Sequence, residues 1–216
     1  MSNNPINIQD AYNEWSQTYD SDKNATRDLD QVVIRRVLGE FRFESIIEIG
    51  CGSGKNTVFL SQLGGRVSAF DFSEGMLTKA KEKLGKIPNV IFSVADITKP
   101  WPCAEQSANL VTCNLVLEHV EELSVVFSEA ARTLVNGGWF FICELHPFRQ
   151  YQGIVANYYN GDQIIQIPAF VHHISDFLGV AQKSSFVLKQ LQEWWREKDQ
   201  GKPPRLVSFL FEKTVK

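Results

Sequence analysis

A glycine-rich turn at residues 48–54 is the stretch of this chain whose residue types could do chemistry. Its sequence, Glu-Ile-Gly-Cys-Gly-Ser-Gly, lies between a β-branched run and a helical pattern. Glycines there let backbone N–H groups approach a ligand closely, and the start of a helix favours negative charge. Asp71 comes 21 positions after Gly50, at the end of the next predicted strand. A carboxylate at that point can accept both hydroxyls of a ribose, so the two features predict a nucleotide-like ligand.

The spacing of the glycines distinguishes two ligand classes. A dinucleotide site requires G-x-G-x-x-G. Here Gly50, Gly52 and Gly54 give G-x-G-x-G, Glu48 precedes them, and Lys55 stands where the dinucleotide pattern has its third glycine. The spacing therefore argues against a nicotinamide-dependent oxidoreductase, which remains an alternative.

The elements around this turn alternate between short apolar runs and helical patterns, which is typical of parallel strands joined by crossover helices. Helices are predicted at residues 28–39, 56–63, 73–85 and 123–134. Strands are predicted at residues 45–50, 66–71, 90–94, 109–114 and 139–145. Beyond them, Asn160-Gly161 predicts a hairpin, and a helix near residues 174–181 and strands near 184–191 and 206–212 follow.

Composition limits the classes of function. The 216 residues are 44% hydrophobic and 22% charged with a net charge of −3, which predicts one globular domain without a global field for nucleic acid or an anionic membrane. A polar start and the lack of an apolar run of about 18–20 residues predict a cytoplasmic protein without a membrane segment. The cysteines form no C-x-x-C pair and have no zinc spacing, so we expect reduced thiols and no metal site.

Four motifs occur in order along the chain, and together they resemble those of the class I S-adenosylmethionine-dependent methyltransferases, in particular the small-molecule, type 11-like branch. The motifs are residues 48–54, Asp71-Phe72-Ser73 with Met76, residues 94–97 (Val-Ala-Asp-Ile) and residues 114–120 (Asn-Leu-Val-Leu-Glu-His-Val). The resemblance covers roughly residues 12–145. It implies an α/β fold with a Rossmann-like seven-stranded sheet, mostly parallel with an antiparallel C-terminal strand, and helices on both faces.

The resemblance also implies S-adenosylmethionine as cofactor and S-adenosylhomocysteine as product. It places Glu48 below the ammonium group, Asp71 on the ribose, and Asp96 on the adenine amino group. Structural roles stay open for several positions, since Met76 could belong to the core alone and Asp96 could cap a turn. The implied cofactor-binding residues are Tyr19, Glu48, Gly50, Cys51, Gly52, Asp71, Phe72, Met76, Ala95, Asp96, Ile97, Asn114 and Leu115.

Methyl transfer needs a base only if the methyl acceptor must lose a proton. The candidate bases are His119, His146, His172 and His173. His119 and His146 are preferred because each follows a strand at the edge where α/β folds bind ligands, whereas His172 and His173 could instead cap the helix after them. The candidate substrate-binding residues are Tyr12, Phe148, Tyr151 and Tyr158. We expect one methyltransferase domain over residues 1–216, with an N-terminal cap at 1–27 and a lid or substrate insertion at 146–172.

These features predict S-adenosylmethionine-dependent methyl transfer to an unidentified small molecule by in-line displacement. One alternative is a cofactor-binding or regulatory module without catalysis. Another is a nucleic-acid methyltransferase, although the N-P-P-Y and D-P-P-Y motifs are absent after the fourth strand, where Asn114-Leu115-Val116-Leu117 stands. The sequence indicates no oligomeric state.

Overall fold

The computed structural model describes residues 7–215, so residues 1–6 of the predicted N-terminal cap lie outside the described residues. Strands form where β-branched and aromatic residues alternate or run together. In chain order they are β1 (Phe43–Ile49), β2 (Gly64–Asp71), β3 (Val90–Val94), β4 (Ala108–Asn114), β5 (Leu134–Leu145), β6 (Asn157–Asn160), β7 (Gln163–Gln166), β8 (Phe186–Trp194) and β9 (Leu206–Lys213).

Helices connect these strands and begin at residues that can cap them. Asn24 accepts the N–H groups of Thr26 and Arg27, and Ser73 accepts that of Met76. The helices are α1 (Ile8–Trp15), α2 (Ala25–Leu38), α3 (Thr57–Leu63), α4 (Glu74–Leu84), α5 (Leu123–Thr133), α6 (Pro147–Tyr151) and α7 (Ile174–Lys183).

The main sheet has seven strands in the order β3-β2-β1-β4-β5-β9-β8. β1 pairs in parallel with β2 and β4, β2 with β3, and β4 with β5, whereas β9 is antiparallel to both of its neighbours. The predicted Rossmann-like sheet with an antiparallel C-terminal strand is confirmed. The carboxyl ends of β1, β2, β4 and β5 meet at one edge, where such sheets bind ligands.

The core lies on both faces of this sheet because successive strand side chains point to opposite sides. Ile46 joins the cluster covered by α2 and α3, and Ile47 joins the cluster covered by α5 and α7. Cys113 and Cys143 are fully buried strand residues, and all four cysteines are free thiols. No helix within residues 7–215 combines the length and apolarity that crossing a bilayer requires.

The structure differs from the sequence prediction in short elements. The helices α1 and α6 were not predicted, since each has at most eight residues and too few turns for a clear 3.6-residue period. The start of β5 was predicted at Trp139, whereas its pairing begins at Leu134 opposite Ala108. The register shifts before Trp139 pairs with Leu110, and Gly137, at φ +75°, lies within this irregularity.

Candidate active site

A cavity at the carboxyl edge of the sheet, here the first cavity, brings together every residue that the sequence predicts to bind the cofactor. It is also lined by Tyr12 and His119. Most of these residues come from the ends of four strands, and the topology of the sheet explains why they meet. Tyr12, Tyr19 and Met76 come from the N-terminal segment and from α4, which pack over this edge. The predicted residues that line it are Tyr19, Glu48, Gly50, Cys51, Gly52, Asp71, Phe72, Met76, Ala95, Asp96, Ile97, Asn114 and Leu115.

The three glycines of the turn after β1 are needed for different reasons. All three have positive φ. A Cβ on Gly50 would lie 2.1 Å from Val116 Cγ2, and one on Gly54 would lie 2.7 Å from Leu84 Cδ1. Glycine at these two positions therefore lets Val116 and Leu84 pack closely against the turn. A Cβ on Gly52 would meet nothing closer than a tyrosine hydroxyl at 4.0 Å. Gly52 is therefore the glycine that leaves space in the cavity.

Asp71 closes β2 with a buried carboxyl group. Its Oδ2 accepts the N–H of Gly52 at 2.8 Å and its Oδ1 accepts that of Ser73 at 2.9 Å. Burial raises the pKa of this carboxyl to about 6, although the backbone N–H groups oppose the shift. Each carboxylate oxygen can accept a further hydrogen bond, so a pair of ligand hydroxyls would stabilise the charged form.

Glu48 lies at the floor of the first cavity. Its Oε2 accepts the hydroxyl hydrogen of Thr57 at 2.6 Å. Burial raises its pKa to about 8, and the nearby carboxyls of Asp30 and Asp71 add to the shift. A cationic group placed in the cavity would reverse this shift, because an opposite charge favours the ionised carboxylate.

Two buried charged residues of the cavity were missed by the sequence prediction, and so was the less buried Lys55. Asp30 accepts hydrogen bonds from Asn56 Nδ2 at 2.7 Å and Asn114 Nδ2 at 2.6 Å. Arg27 is only 7% exposed, and its guanidinium lies 3.8 Å from the centre of the Tyr19 ring. Arg27 and Asp30 are three residues apart on the buried face of α2. Charges at helical spacing on an apolar face are the signal that could have identified them.

Two of the predicted adenine contacts also have structural roles. Met76 is 1% exposed and packs in the cluster that contains Ala11 and Trp15 of α1. Asp96 Oδ1 accepts both the N–H and the hydroxyl of Thr98, which caps the turn after β3. Both side chains also line the first cavity, so the structural and the binding interpretations are compatible.

Glu144, on β5, fixes the loop that follows β4. Its Oε1 accepts the N–H groups of Val116 and Leu117, each at 3.0 Å. Leu115 in the same loop has φ +57°, a conformation that few non-glycine residues adopt. The buried carboxyl therefore helps to hold Leu115 and Val116 against the first cavity.

His119 and Tyr12 form a hydrogen-bonded pair at the wall of the first cavity. The Nδ1 of His119 lies 2.9 Å from the carbonyl oxygen of Pro168, which can only accept, so Nδ1 carries the hydrogen. The Nε2 is then the acceptor for the Tyr12 hydroxyl at 2.8 Å. Burial lowers the pKa of His119 and raises that of Tyr12 well above its ordinary value. The pair therefore holds one proton on tyrosine and a neutral imidazole.

A second cavity, of about 400 Å³, adjoins the first. The two share Tyr12, Tyr19, Arg27 and Leu115 as lining residues. The remaining wall comes from α1, the start of α2 with the residues before it, Glu118, β6 with its preceding loop, and residues near β5 and β9. The predicted substrate residues Tyr12 and Tyr158 both line this second cavity.

Three of the predicted catalytic and substrate residues line neither cavity. Nδ1 of His146 accepts the N–H of Phe148 at 3.2 Å, so its Nε2 donates to Glu193 Oε1 at 2.9 Å. Phe148 and Tyr151 are 55% and 56% exposed. The structure thus separates His146, Phe148 and Tyr151 from the residues that surround the two cavities.

The first cavity fits S-adenosylmethionine in its distribution of polar groups. Asp71 offers free carboxylate lone pairs, and Glu48 is a buried carboxyl that a cation would stabilise. Gly52 leaves open space between them, and Phe72 and Met76 supply apolar surface. Across residues 7–215, no cluster of three or more His, Cys, Asp or Glu side chains could hold a metal ion.

Comparisons with known proteins agree with this fit. Residues 47–142 match a family model described as a methyltransferase domain. The chain is 23% identical to an uncharacterized methyltransferase of Emericella nidulans, over 93% of this chain and 83% of that protein. It is 26% identical to a ubiquinone biosynthesis O-methyltransferase of Hydrogenovibrio crunogenus (68% and 64% covered) and 30% identical to a demethylmenaquinone methyltransferase of Clavibacter sepedonicus (67% and 60%). The chain thus spans about three fifths of the length of the latter two.

Solved structures show the same fold. The N-methyltransferase NodS of Bradyrhizobium japonicum, solved in complex with S-adenosylhomocysteine, superposes with a TM-score of 0.73 at 14% identity, over 97% of this chain and all of that chain. The motif order, the sheet topology, the fit of the first cavity and the family match lead to one conclusion. The chain belongs to the class I S-adenosylmethionine-dependent methyltransferases.

Proposed function

We propose that this enzyme methylates a hydroxyl group of a small aromatic molecule that binds in the second cavity. One observation carries the proposal: the two cavities share Tyr12, and the hydroxyl of Tyr12 is hydrogen-bonded to His119 Nε2. A methyl acceptor in the second cavity would approach the cofactor beside a group that can take its proton.

Bound S-adenosylmethionine supplies a methyl group that is already activated on a sulfonium. The contribution of the chain is to align the methyl acceptor and to remove its proton. In our proposal, Tyr12 Oη accepts the proton of the acceptor's hydroxyl while the Tyr12 proton passes to His119 Nε2. The Glu118 carboxyl, with Oε1 3.9 Å from that nitrogen, stabilises the imidazolium that forms. Pro168 keeps the ring in the required tautomer through Nδ1.

The walls of the second cavity support an aromatic molecule. Trp15 and Tyr158 stack at 5.7 Å between ring centres with an interplanar angle of 17°, and both line the cavity. We therefore propose that residues 7–27, the described part of the predicted cap, and residues 146–172 serve as the cap and the lid of one domain. The named relatives include an O-methyltransferase of ubiquinone biosynthesis, whose name supports oxygen as the methylated atom.

The test is methyl transfer from labelled S-adenosylmethionine to a panel of catechols and hydroquinones, with matched anilines and aliphatic alcohols. We expect label in the hydroxylated aromatics. His119→Ala should lower kcat by about 100-fold, whereas His146→Ala should leave kcat unchanged. Calorimetry with S-adenosylhomocysteine shows whether each variant keeps its cofactor site.

Two outcomes would contradict the proposal. If S-adenosylhomocysteine binds but no acceptor is methylated, a cofactor-binding module without catalysis becomes the better interpretation. If His146→Ala loses activity and His119→Ala does not, the proton leaves by another route, and the hydrogen-bonded pair of Tyr12 and His119 has no catalytic role.

A further inference from the structure

We propose that the second cavity contains an anion subsite at Arg205, so that the methyl acceptor carries a carboxylate or a similar anionic group. This inference rests on the proposed function, because it takes the second cavity as the acceptor site. Arg205 lines the second cavity and does not line the first. The anionic group would therefore bind in the part of the second cavity that is not shared with the cofactor.

Arg205 belongs to a group of three arginines around a single carboxylate. The Oδ2 of Asp199 accepts Arg205 Nε at 3.0 Å and Arg196 Nε at 2.9 Å, and it lies 4.0 Å from Arg149 Nη2. Asp199 is 3% exposed. The three guanidinium groups share one carboxylate, so the group around Asp199 has an excess of positive charge. The side chains of Arg149 and Arg205 are only 10% and 15% exposed, whereas that of Arg196 is 36% exposed, so an unpaired charge is most costly at the first two.

Part of the Arg205 guanidinium is available for a ligand. Besides its bond to Asp199, it donates from Nη1 to Thr26 Oγ1 at 3.1 Å. Its Nη2 has no hydrogen-bond partner among residues 7–215. It is also not one of the fully buried polar atoms that lack a partner, so it is accessible to a ligand. The planar guanidinium is suited to carboxylate recognition, because it presents several N–H donors in a fixed geometry.

The rest of the second cavity also favours an anion. Its lining contains the basic residues Lys23, Arg27 and Arg205 against the acidic residues Asp22 and Glu118. Asp22 Oδ2 already accepts Trp15 Nε1 at 2.8 Å and a threonine hydroxyl. Burial also raises the pKa of Glu118 to about 7. The lining therefore carries three cationic side chains against at most two anionic ones.

The experiment compares two ligands that differ only in charge. Binding of 3,4-dihydroxybenzoate and 3,4-dihydroxybenzamide to the protein loaded with S-adenosylhomocysteine is measured by calorimetry, which needs no turnover. We expect the benzoate to bind about tenfold more tightly than the amide, since charge-assisted hydrogen bonds to arginine have this size. Arg205→Gln should remove the preference, and Arg205→Lys should restore part of it.

Arg196→Gln is the matched control, because it removes a second partner of Asp199 without changing the lining of the cavity. It should keep the preference for the benzoate. Unchanged affinity for S-adenosylhomocysteine in all three variants shows that the fold is intact. The anion subsite is excluded if the benzamide binds equally well, if neither ligand binds at millimolar concentrations, or if both glutamine variants weaken both ligands alike.

The same ligands separate this inference from the proposed function. Methylation of both compounds with equal KM would support hydroxyl methylation and exclude the anion subsite. A charge preference in binding that depends on Arg205, without methylation of either compound, would support the subsite and contradict the proposed reaction.

Discussion

The two cavities of this enzyme are built from the chain in different ways. The first cavity is lined mainly by residues at the ends of neighbouring strands, and a key contact such as Asp71 to Ser73 spans two residues. The second depends on contacts between distant segments, with Tyr158 and Glu14 144 residues apart and Arg205 and Thr26 179 residues apart. The first site follows from the topology of the fold, whereas the second follows from how particular loops and helices pack on it.

The largest effect is expected at Asp71, because its carboxyl anchors the first cavity. Asp71→Ala should lower the affinity for S-adenosylhomocysteine by about 100-fold, since two hydrogen bonds to a charged group are lost. Calorimetric titration measures this change. Glu82→Gln is the control, because Glu82 is an exposed carboxyl on α4 that lines neither cavity. An equal loss in both variants would show that the buried carboxyl has no special role.

The next effect concerns Tyr12, where the two cavities meet. Tyr12→Phe removes the proposed proton path while keeping the ring, so kcat should fall by about 100-fold with little change in affinity for S-adenosylhomocysteine. Tyr151→Phe is the matched control, because Tyr151 is also hydrogen-bonded to a histidine, His173, but lines neither cavity. Equal rates for wild type and Tyr12→Phe would remove the relay from the mechanism.

The sequence was sufficient for the first cavity because its positions are set by local patterns. A strand followed by a glycine turn places Glu48 and Gly52, and the end of the next strand places Asp71, whatever the loops elsewhere do. The prediction failed to include Arg27 and Asp30, because their helix was located only from its apolar residues.

The second cavity was only partly predictable for a physical reason. Aromatic residues in the segment 146–172 indicated a lid, but their direction depends on α6, a five-residue helix that begins at Pro147. In this helix Arg149 and Gln150 are buried, whereas Phe148 and Tyr151 point to solvent. Such a short helix has no period that a sequence could display, and its orientation is set by contacts of Arg149 with the distant residues Pro203 and Pro204.

A smaller effect is expected in the pH dependence of the free energy of unfolding, to which the buried Glu48 carboxyl of the first cavity contributes. In the folded chain the pKa of Glu48 is raised from its ordinary value of 4.5 to about 8, so this carboxyl stays protonated in the folded state at pH values where it is ionised in the unfolded state. The folded state therefore binds more protons than the unfolded state in this range, and the free energy of unfolding should fall as the pH rises from about 5 to about 8.

Glu48→Gln should reduce this slope by about 1 kcal/mol per pH unit, because the amide stays neutral while it can still accept from Thr57. Urea unfolding at several pH values measures the slope. Glu44→Gln is the control, since Glu44 lies exposed on the same strand. A slope that is identical in wild type and both variants would mean that Glu48 is ionised in the folded chain.

The smallest effect is expected where α1 contacts the β6–β7 hairpin over the second cavity. Glu14 accepts from Tyr158 Oη and from Asn160 Nδ2, each at 2.6 Å. Tyr158→Phe removes one of these bonds and keeps the stack on Trp15, so the hairpin should stay in place but less firmly. Loss of one such bond costs about 1 kcal/mol, which should raise the KM of the methyl acceptor about fivefold and leave kcat unchanged.

Tyr159→Phe, at a 64% exposed neighbour, should change neither constant. A fall in kcat as large as that of Tyr12→Phe would place the hairpin at the reacting groups, and the second cavity would then be part of the catalytic centre instead of a binding wall beside it.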